Sequence, residues 1–197
     1  FHIKINYKKA IINDNTNMTQ QSNFEKVREF SRSFEVPHFD SQQINIFTDN
    51  PDLVKLRLSL IKEEVGELED AIRDHDMVEV VDALADILYV VYGAADSFGI
   101  DIDKAFNIVH SSNMSKLCRG EEEAQETVEW YQREFREGRK PYDSPYYYRG
   151  ELGQWIIKNR STGKVLKSIN YTPADLREVS GVFTQQNTSQ ENSSQHS

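Results

Sequence analysis

Glu63-Glu64-Val65-Gly66-Glu67 is followed, after a short interval, by Glu79-Val80-Val81-Asp82-Ala83-Leu84-Ala85-Asp86-Ile87-Leu88. Both stretches carry helical periodicity. The first lies in a segment whose apolar stripe is Leu53, Leu56, Leu60, Ile61, Val65, Leu68 and Ile72, which predicts a helix from about Pro51 to Asp74. Asn50-Pro51-Asp52 is a strong start for it: a capping amide, proline at the first position and an acid in the first turn. His75-Asp76 breaks the pattern, and a second helix runs from about Met77 to Phe98, stopped by Gly99. That helix is apolar almost all round apart from its acids, as expected of one buried in a bundle core or an oligomer interface. A connection this short predicts an antiparallel helical hairpin.

On a helix turning by roughly 100° per residue, Glu63, Glu64 and Glu67 fall within an arc of about 100°, and Glu79, Asp82 and Asp86 within about 60°. The hairpin is expected to bring Glu67 and Glu79 to the same height. Acids on a helix commonly form a solvated face, and Glu-Glu-x-x-Glu alone means little. The second cluster is set among Val78, Val80, Val81, Leu84, Ile87 and Leu88, where a solvated face is hard to accommodate. Buried acids need partners, and no Lys or Arg of that helix supplies them. Convergent carboxylates repel and are costly to desolvate, which a divalent cation relieves. An all-oxygen set suits Mg²⁺, with Mn²⁺ as a substitute, rather than Zn²⁺. Such an ion can bridge phosphate oxygens and activate water.

Around this hairpin the chain reads outward in both directions. Phe24, Val27, Phe30 and Phe34 predict a short amphipathic helix ending near Pro37, followed by a loop through Asn50. A further helix is expected from about Asp101 to Leu117, and a charged one from Glu121 to Arg136 with Val128, Tyr131 and Phe135 on one face. Pro141 to Tyr148 reads as a loop. Gln154–Lys158 and Gly163–Lys167 read as a hairpin around Asn-Arg-Ser-Thr-Gly, and Thr172–Val179 as a last helical turn. Residues 1–22 read as a disordered leader, its first part non-native in character, and residues 181–197 as a disordered polar tail.

The chain has 197 residues, 38% hydrophobic and 28% charged, with a net charge of −9. The charge argues against a nucleic-acid polymer as partner and leaves a nucleotide open, since a bound cation reverses the local sign. No apolar run is long enough to span a membrane. One cysteine, Cys118, cannot form an internal disulfide and points to a reducing, cytoplasmic setting. It has no visible catalytic partner. His75 falls in the turn, and His110 shares a face with Asn113, where a structural hydrogen bond competes with a substrate contact.

Glu-Glu-x-x-Glu followed by Glu-x-x-Asp resembles the signature of the all-α nucleoside triphosphate pyrophosphohydrolases. The stretches Glu79 to Gly93, His110 to Lys116 and Gly163 to Leu176 are similar to the MazG-like and phosphoribosyl-ATP pyrophosphohydrolase-like branch. The resemblance covers about Asn23 to Val179. It implies an all-α protomer of MazG-like type, residues 23–118, completed by oligomerisation as a homodimer or homotetramer, with a helical and β-hairpin extension at 119–180. It implies Glu64, Glu67, Glu79 and Asp82 as Mg²⁺ ligands, with Glu63 on a second metal or orienting the attacking water beside Glu64. Asn113 and Lys116 would contact substrate, with Lys167 and Tyr171, and also Lys164, approaching phosphates from a C-terminal arm. The implied reaction is Mg²⁺-dependent cleavage of a (deoxy)nucleoside triphosphate to the monophosphate and pyrophosphate, removing non-standard or surplus nucleotides. An inactive nucleotide-binding scaffold is the alternative. A di-iron bundle is disfavoured because neither acidic motif ends in His. Residues 119–162 separate Lys116 from Gly163 by more than compact members have. In them Tyr142, Tyr146, Tyr147 and Tyr148 either stack on a base or pack onto their own domain, and Trp155 reads as hairpin packing.

Overall fold

A computed structural model describes residues 21–181, so the expected leader and tail lie outside it apart from their innermost residues. Ser22 belongs to the ordered chain. It caps α1 (Asn23–Ser33) in a reciprocal box with Glu25. A short α2 (Ile46–Asp49) interrupts the expected loop, anchored by the buried Ile46. α3 (Pro51–Asp74) and α4 (Met77–Phe98) then form the antiparallel hairpin. Its bend is well specified. His75 takes the left-handed conformation at φ 58°, and Asp76 Oδ1 accepts from the amides of Val78 (2.9 Å) and Glu79 (3.3 Å). α5 (Ile102–Met114) starts on the Asp101 cap, and α6 (Glu121–Arg136) completes the helices.

The helical part is pinned by a buried polar network at the C-terminal end of α4. Arg57 of α3 donates to Ser97 Oγ at 2.8 Å, and Ser97 passes the bond to the carbonyl of Pro37 at 2.7 Å. Arg28 of α1 donates to Asp96 at 3.1 Å and also reaches Asp40. Burial pushes the Arg57 guanidinium below its usual range, and the Asp96 charge opposes that. The segment after α1 is stitched to the same region by Phe39 N–H to Asp96 O and Gln43 N–H to Phe98 O. At Gly99, φ is +68°, and a Cβ would stand 2.0 Å from the Ser41 carbonyl oxygen. Glycine is required there for both handedness and space.

The other end of the hairpin is less covered. Val78 is 75% exposed, Val81 61% and Leu88 55%, and on α3 Leu58, Val65 and Ile72 are also exposed. Glu79, Asp82 and Asp86 are likewise exposed in the single chain. The apolar setting read around these acids exists in sequence, but one protomer does not bury it.

The extension is a compact second cluster. Cys118, Ala124, Val128, Tyr131, Ile157 and Leu166 form its core, flanked by Trp130, Tyr142, Tyr147 and Trp155. Its hairpin differs from the expected one. β1 (Pro145–Arg149), in the stretch read as a loop, pairs antiparallel with β2 (Trp155–Asn159). Three tyrosines favour a strand there, and Gly153 at φ 84° closes the turn. Residues 163–167 return beside β2 as a less regular segment, through the bridge Lys158↔Val165 and the bonds Asn159 N–H to Lys164 O and Leu166 N–H to Ile157 O, both 2.9 Å, while the fully buried Asn159 side chain ties in Asp143, Ser144, Ser161 and Thr162. The expected helical turn at 172–179 is absent: the stretch is irregular up to turns near Val179.

Gly99→Ala is expected to destabilise the fold by roughly 2–4 kcal/mol, from the left-handed backbone plus the steric collision, as measured by urea denaturation. Wild-type stability would show that the 37–43 segment does not pack as described.

Candidate active site

The hairpin bend fixes which acids meet. Counting outward from His75 and Asp76, Glu64 stands opposite Ile87, beside Asp86. Glu67 stands opposite Leu84, between Asp82 and Asp86. The electrostatics agree. The Glu64 carboxyl is pushed above its ordinary range by partial burial first, then by Glu67, Asp86, Glu63 and Asp82. Asp86 is raised by partial burial and then by Asp82. Glu79 is in the first turn of α4, opposite Ile72 and nearer the bend, so the expected equal height of Glu67 and Glu79 does not hold. Asp86, given no ligand role from sequence, is the acid that meets Glu64. Counting outward from the bend would have found it.

Among the described residues, no three acidic, His or Cys side chains are drawn tightly enough to grip an ion as they stand. The donor chemistry nevertheless suits a hard cation. All groups are carboxylates, and the charges of their neighbours add to partial burial in raising Glu64 and Asp86.

A second polar cluster forms where α5 ends and the C-terminal arm returns. Lys116 Nζ donates to Asn113 Oδ1 at 2.7 Å. Tyr171 OH accepts from Ser112 Oγ at 2.9 Å, and the Lys167 ammonium lies 4.1 Å from the Tyr171 ring centroid. The bond from Ser112, helped by the charges of Lys167 and Lys116, holds the Tyr171 phenol below its usual range. Asn113 and Lys116 are thus brought together with Lys167 and Tyr171 from the C-terminal arm. Lys164 is not among them, since it donates to Tyr142 OH at 3.0 Å. Tyr142 and Tyr147 pack on the extension's own aromatics, while Tyr146 and Tyr148 stack on each other. His75 and His110 are both exposed. The Cys118 thiol is buried and pushed up by that burial.

Residues 27–113 match the family model described as phosphoribosyl-ATP pyrophosphohydrolase. The chain is also 31% identical, over 238 aligned positions, to "Uncharacterized protein L479" of Acanthamoeba polyphaga mimivirus, with 79% of this chain and 94% of the relative covered. The chain belongs to the phosphoribosyl-ATP pyrophosphohydrolase family. The family acts as a pyrophosphohydrolase on nucleotides, which makes phosphoric anhydrides the chemical class. The matched span contains the carboxylate hairpin and Asn113. Lys116, Lys167, Tyr171 and the whole extension follow it. No helix among the described residues is long and apolar enough to cross a membrane.

The raised Glu64 and Asp86 carboxyls have a sign in stability. A carboxyl whose folded pKa exceeds its unfolded value stabilises the fold while protonated, and this contribution is lost as pH rises through the folded pKa. Cation-free protein is therefore expected to lose stability as pH rises from the ordinary carboxylate range through the raised values of these two groups, and Glu64→Gln to flatten that loss. Urea midpoints across this range, with a chelator present, measure it. Identical slopes in the two proteins would remove Glu64 from the repulsive cluster.

Proposed function

We propose that this protein is a Mg²⁺-dependent nucleoside triphosphate pyrophosphohydrolase that converts (deoxy)nucleoside triphosphates to monophosphates and pyrophosphate, clearing non-standard or surplus nucleotides. The observation carrying this reading is the face-to-face set Glu64, Glu67, Asp82 and Asp86 on a hairpin of this family.

Glu64, Glu67, Asp82 and Asp86 would hold the ion, with Glu79, one turn before Asp82 on the same face of α4, as a further ligand. A divalent ion there would neutralise the acids and supply Lewis-acid activation for attack by water on the anhydride. Glu63, exposed at the edge of the cluster, orients the attacking water and accepts its proton. Lys116 and Lys167 bind phosphate oxygens as point charges, with the amide of Asn113 holding Lys116 in place. Tyr171 contributes its phenol, kept polar by Ser112 and two ammonium neighbours. Water attacks one phosphorus of the anhydride, and pyrophosphate leaves without a covalent enzyme intermediate.

The carboxylates and the lysines do not share extensive packing within one chain: α3 packs on α4, and neither packs extensively on α5. The exposed stripes Leu58, Val65 and Ile72 on α3 and Val78, Val81, Leu84 and Leu88 on α4 supply the means of closing the site. Facing the same stripes of a second copy, they complete a four-helix core and desolvate the acids between them. A homodimer or homotetramer follows.

Pyrophosphate release from a panel of nucleoside triphosphates is expected only with Mg²⁺ or Mn²⁺. Asp86→Ala and Glu64→Ala are each expected to cost at least about a hundredfold in kcat/KM with helical circular dichroism retained. Full activity of Asp86→Ala would sink the ligand set. Separately, light scattering after size exclusion should give an oligomeric mass for the wild type and a monomeric one for the double change Val81→Glu, Leu88→Glu. A wild-type monomer would refute the shared core.

A further inference from the structure

A cleft separates α6 from the returning C-terminal arm. It is walled by Trp130, Lys167, Ser168, Ile169 and Tyr171 and has a volume of about 440 Å³, within the range of small-ligand sites. We propose that this cleft takes the base of the nucleotide substrate, with the Trp130 indole as its stacking surface. The inference rests on the nucleotide reading above and adds the part of the protein that contacts the base.

Two features of the walls support it. The first is chemistry. An indole, a phenol ring and an ammonium lie around one opening, a combination suited to the flat π-face of a base next to a phosphate. Trp130 is only half-buried. Its ring orientation is set by an edge contact with Tyr131, with centroids 4.7 Å apart and planes at 78°. Lys167 and Tyr171 belong at once to this cleft and to the cluster around Lys116. A ligand with its base at Trp130 therefore has its phosphates directed at the lysines.

The second feature is rigidity, which lowers the ordering cost of binding. The arm that forms one wall is held through its backbone. Lys167 N–H donates to Tyr131 OH at 3.2 Å, Ser168 N–H to Lys116 O at 3.2 Å, and Ile169 N–H to Thr127 Oγ1 at 3.3 Å. Ser168 also donates its hydroxyl to Glu123. Trp130 and the residues that hold the arm lie beyond the matched family span, in the extension. The extension would therefore set base selection.

The experiment uses the products, which are not turned over. Wild type and Trp130→Phe are titrated with adenosine, guanosine, cytidine and uridine monophosphates, and with inorganic phosphate, with Mg²⁺ present, while tryptophan emission is read. The chain has two tryptophans, Trp130 and Trp155, so the difference between the proteins isolates Trp130. We expect quenching by at least one monophosphate in the wild type, none in Trp130→Phe, and none with inorganic phosphate in either. Trp130→Ala should raise KM for the matching triphosphate by about tenfold, with the loss falling on KM more than on kcat. Pyrophosphate release without Trp130-dependent quenching by any monophosphate overturns the cleft and leaves the hydrolase standing. Equal quenching by inorganic phosphate also overturns it. Trp130-dependent quenching without pyrophosphate release from any triphosphate supports the cleft and overturns the hydrolase. If Trp130→Ala does not fold, the Trp130→Phe titration still decides.

Discussion

Glu64 meets the charges of Glu67, Asp82 and Asp86 at the α3–α4 hairpin, whose register places these acids near one another. α3 and α4 are joined by a tight bend whose caps leave little slack, so the register of the acids is fixed once the helices form. Repulsion is tolerable in one chain because the acids keep much of their hydration. It becomes severe if a second copy covers the exposed apolar stripes beside them. Burial then strengthens every charge interaction, and a cation becomes part of the stable state. Under the proposed function, assembly and metal affinity would therefore be coupled through the same helices.

The opposite end of the hairpin carries the compensating rigidity. Arg57, Asp96 and Ser97 are buried and tie α3, α4, α1 and the 37–43 segment into one unit. Asp96 Oδ2 has no hydrogen-bond donor among the described residues, and the nearby Arg57 charge offsets that cost. Gly93 belongs to this arrangement as well. A Cβ there would stand 3.2 Å from an Arg57 guanidinium nitrogen, tighter than ordinary contact. An anchored end and an exposed acidic end on one pair of helices divide stability from function along the hairpin.

The helices were legible because their signals are local. Pro51, the His75-Asp76 break and Gly99 mark the bounds of α3 and α4, although the Asn50 side chain expected to cap α3 makes no capping hydrogen bond. The hairpin of the extension was not, because its pairing is decided at a distance. Residues 141–148 read as a loop for their prolines, yet tyrosines at 146–148 pair with β2 in a hairpin that packs on α6. The acids show the same division. Residue types and helical arcs pointed to Glu64, Glu67, Glu79 and Asp82, while opposing Asp86 to Glu64 required the geometry of the bend. Trp130 left no signal of its own, since half-buried tryptophans on amphipathic helices ordinarily serve packing, and only the returning arm places it beside Lys167 and Tyr171.

The long separation between Lys116 and Gly163 then has a physical reading. Lys167 and Tyr171 sit in irregular backbone, which holds no side chain in place by itself. Here Tyr131 and Thr127 on α6 accept from the backbone N–H groups of Lys167 and Ile169, Glu123 accepts from the Ser168 hydroxyl, Ser112 on α5 donates to Tyr171 OH, and Ser115 just beyond α5 accepts from Thr172 N–H. The β hairpin supports α6 from behind through Ile157, Tyr147 and Trp155. The extension thus converts a flexible arm into a fixed wall, so that its lysine and tyrosine are ordered before substrate arrives and the ordering cost is met in folding rather than in binding.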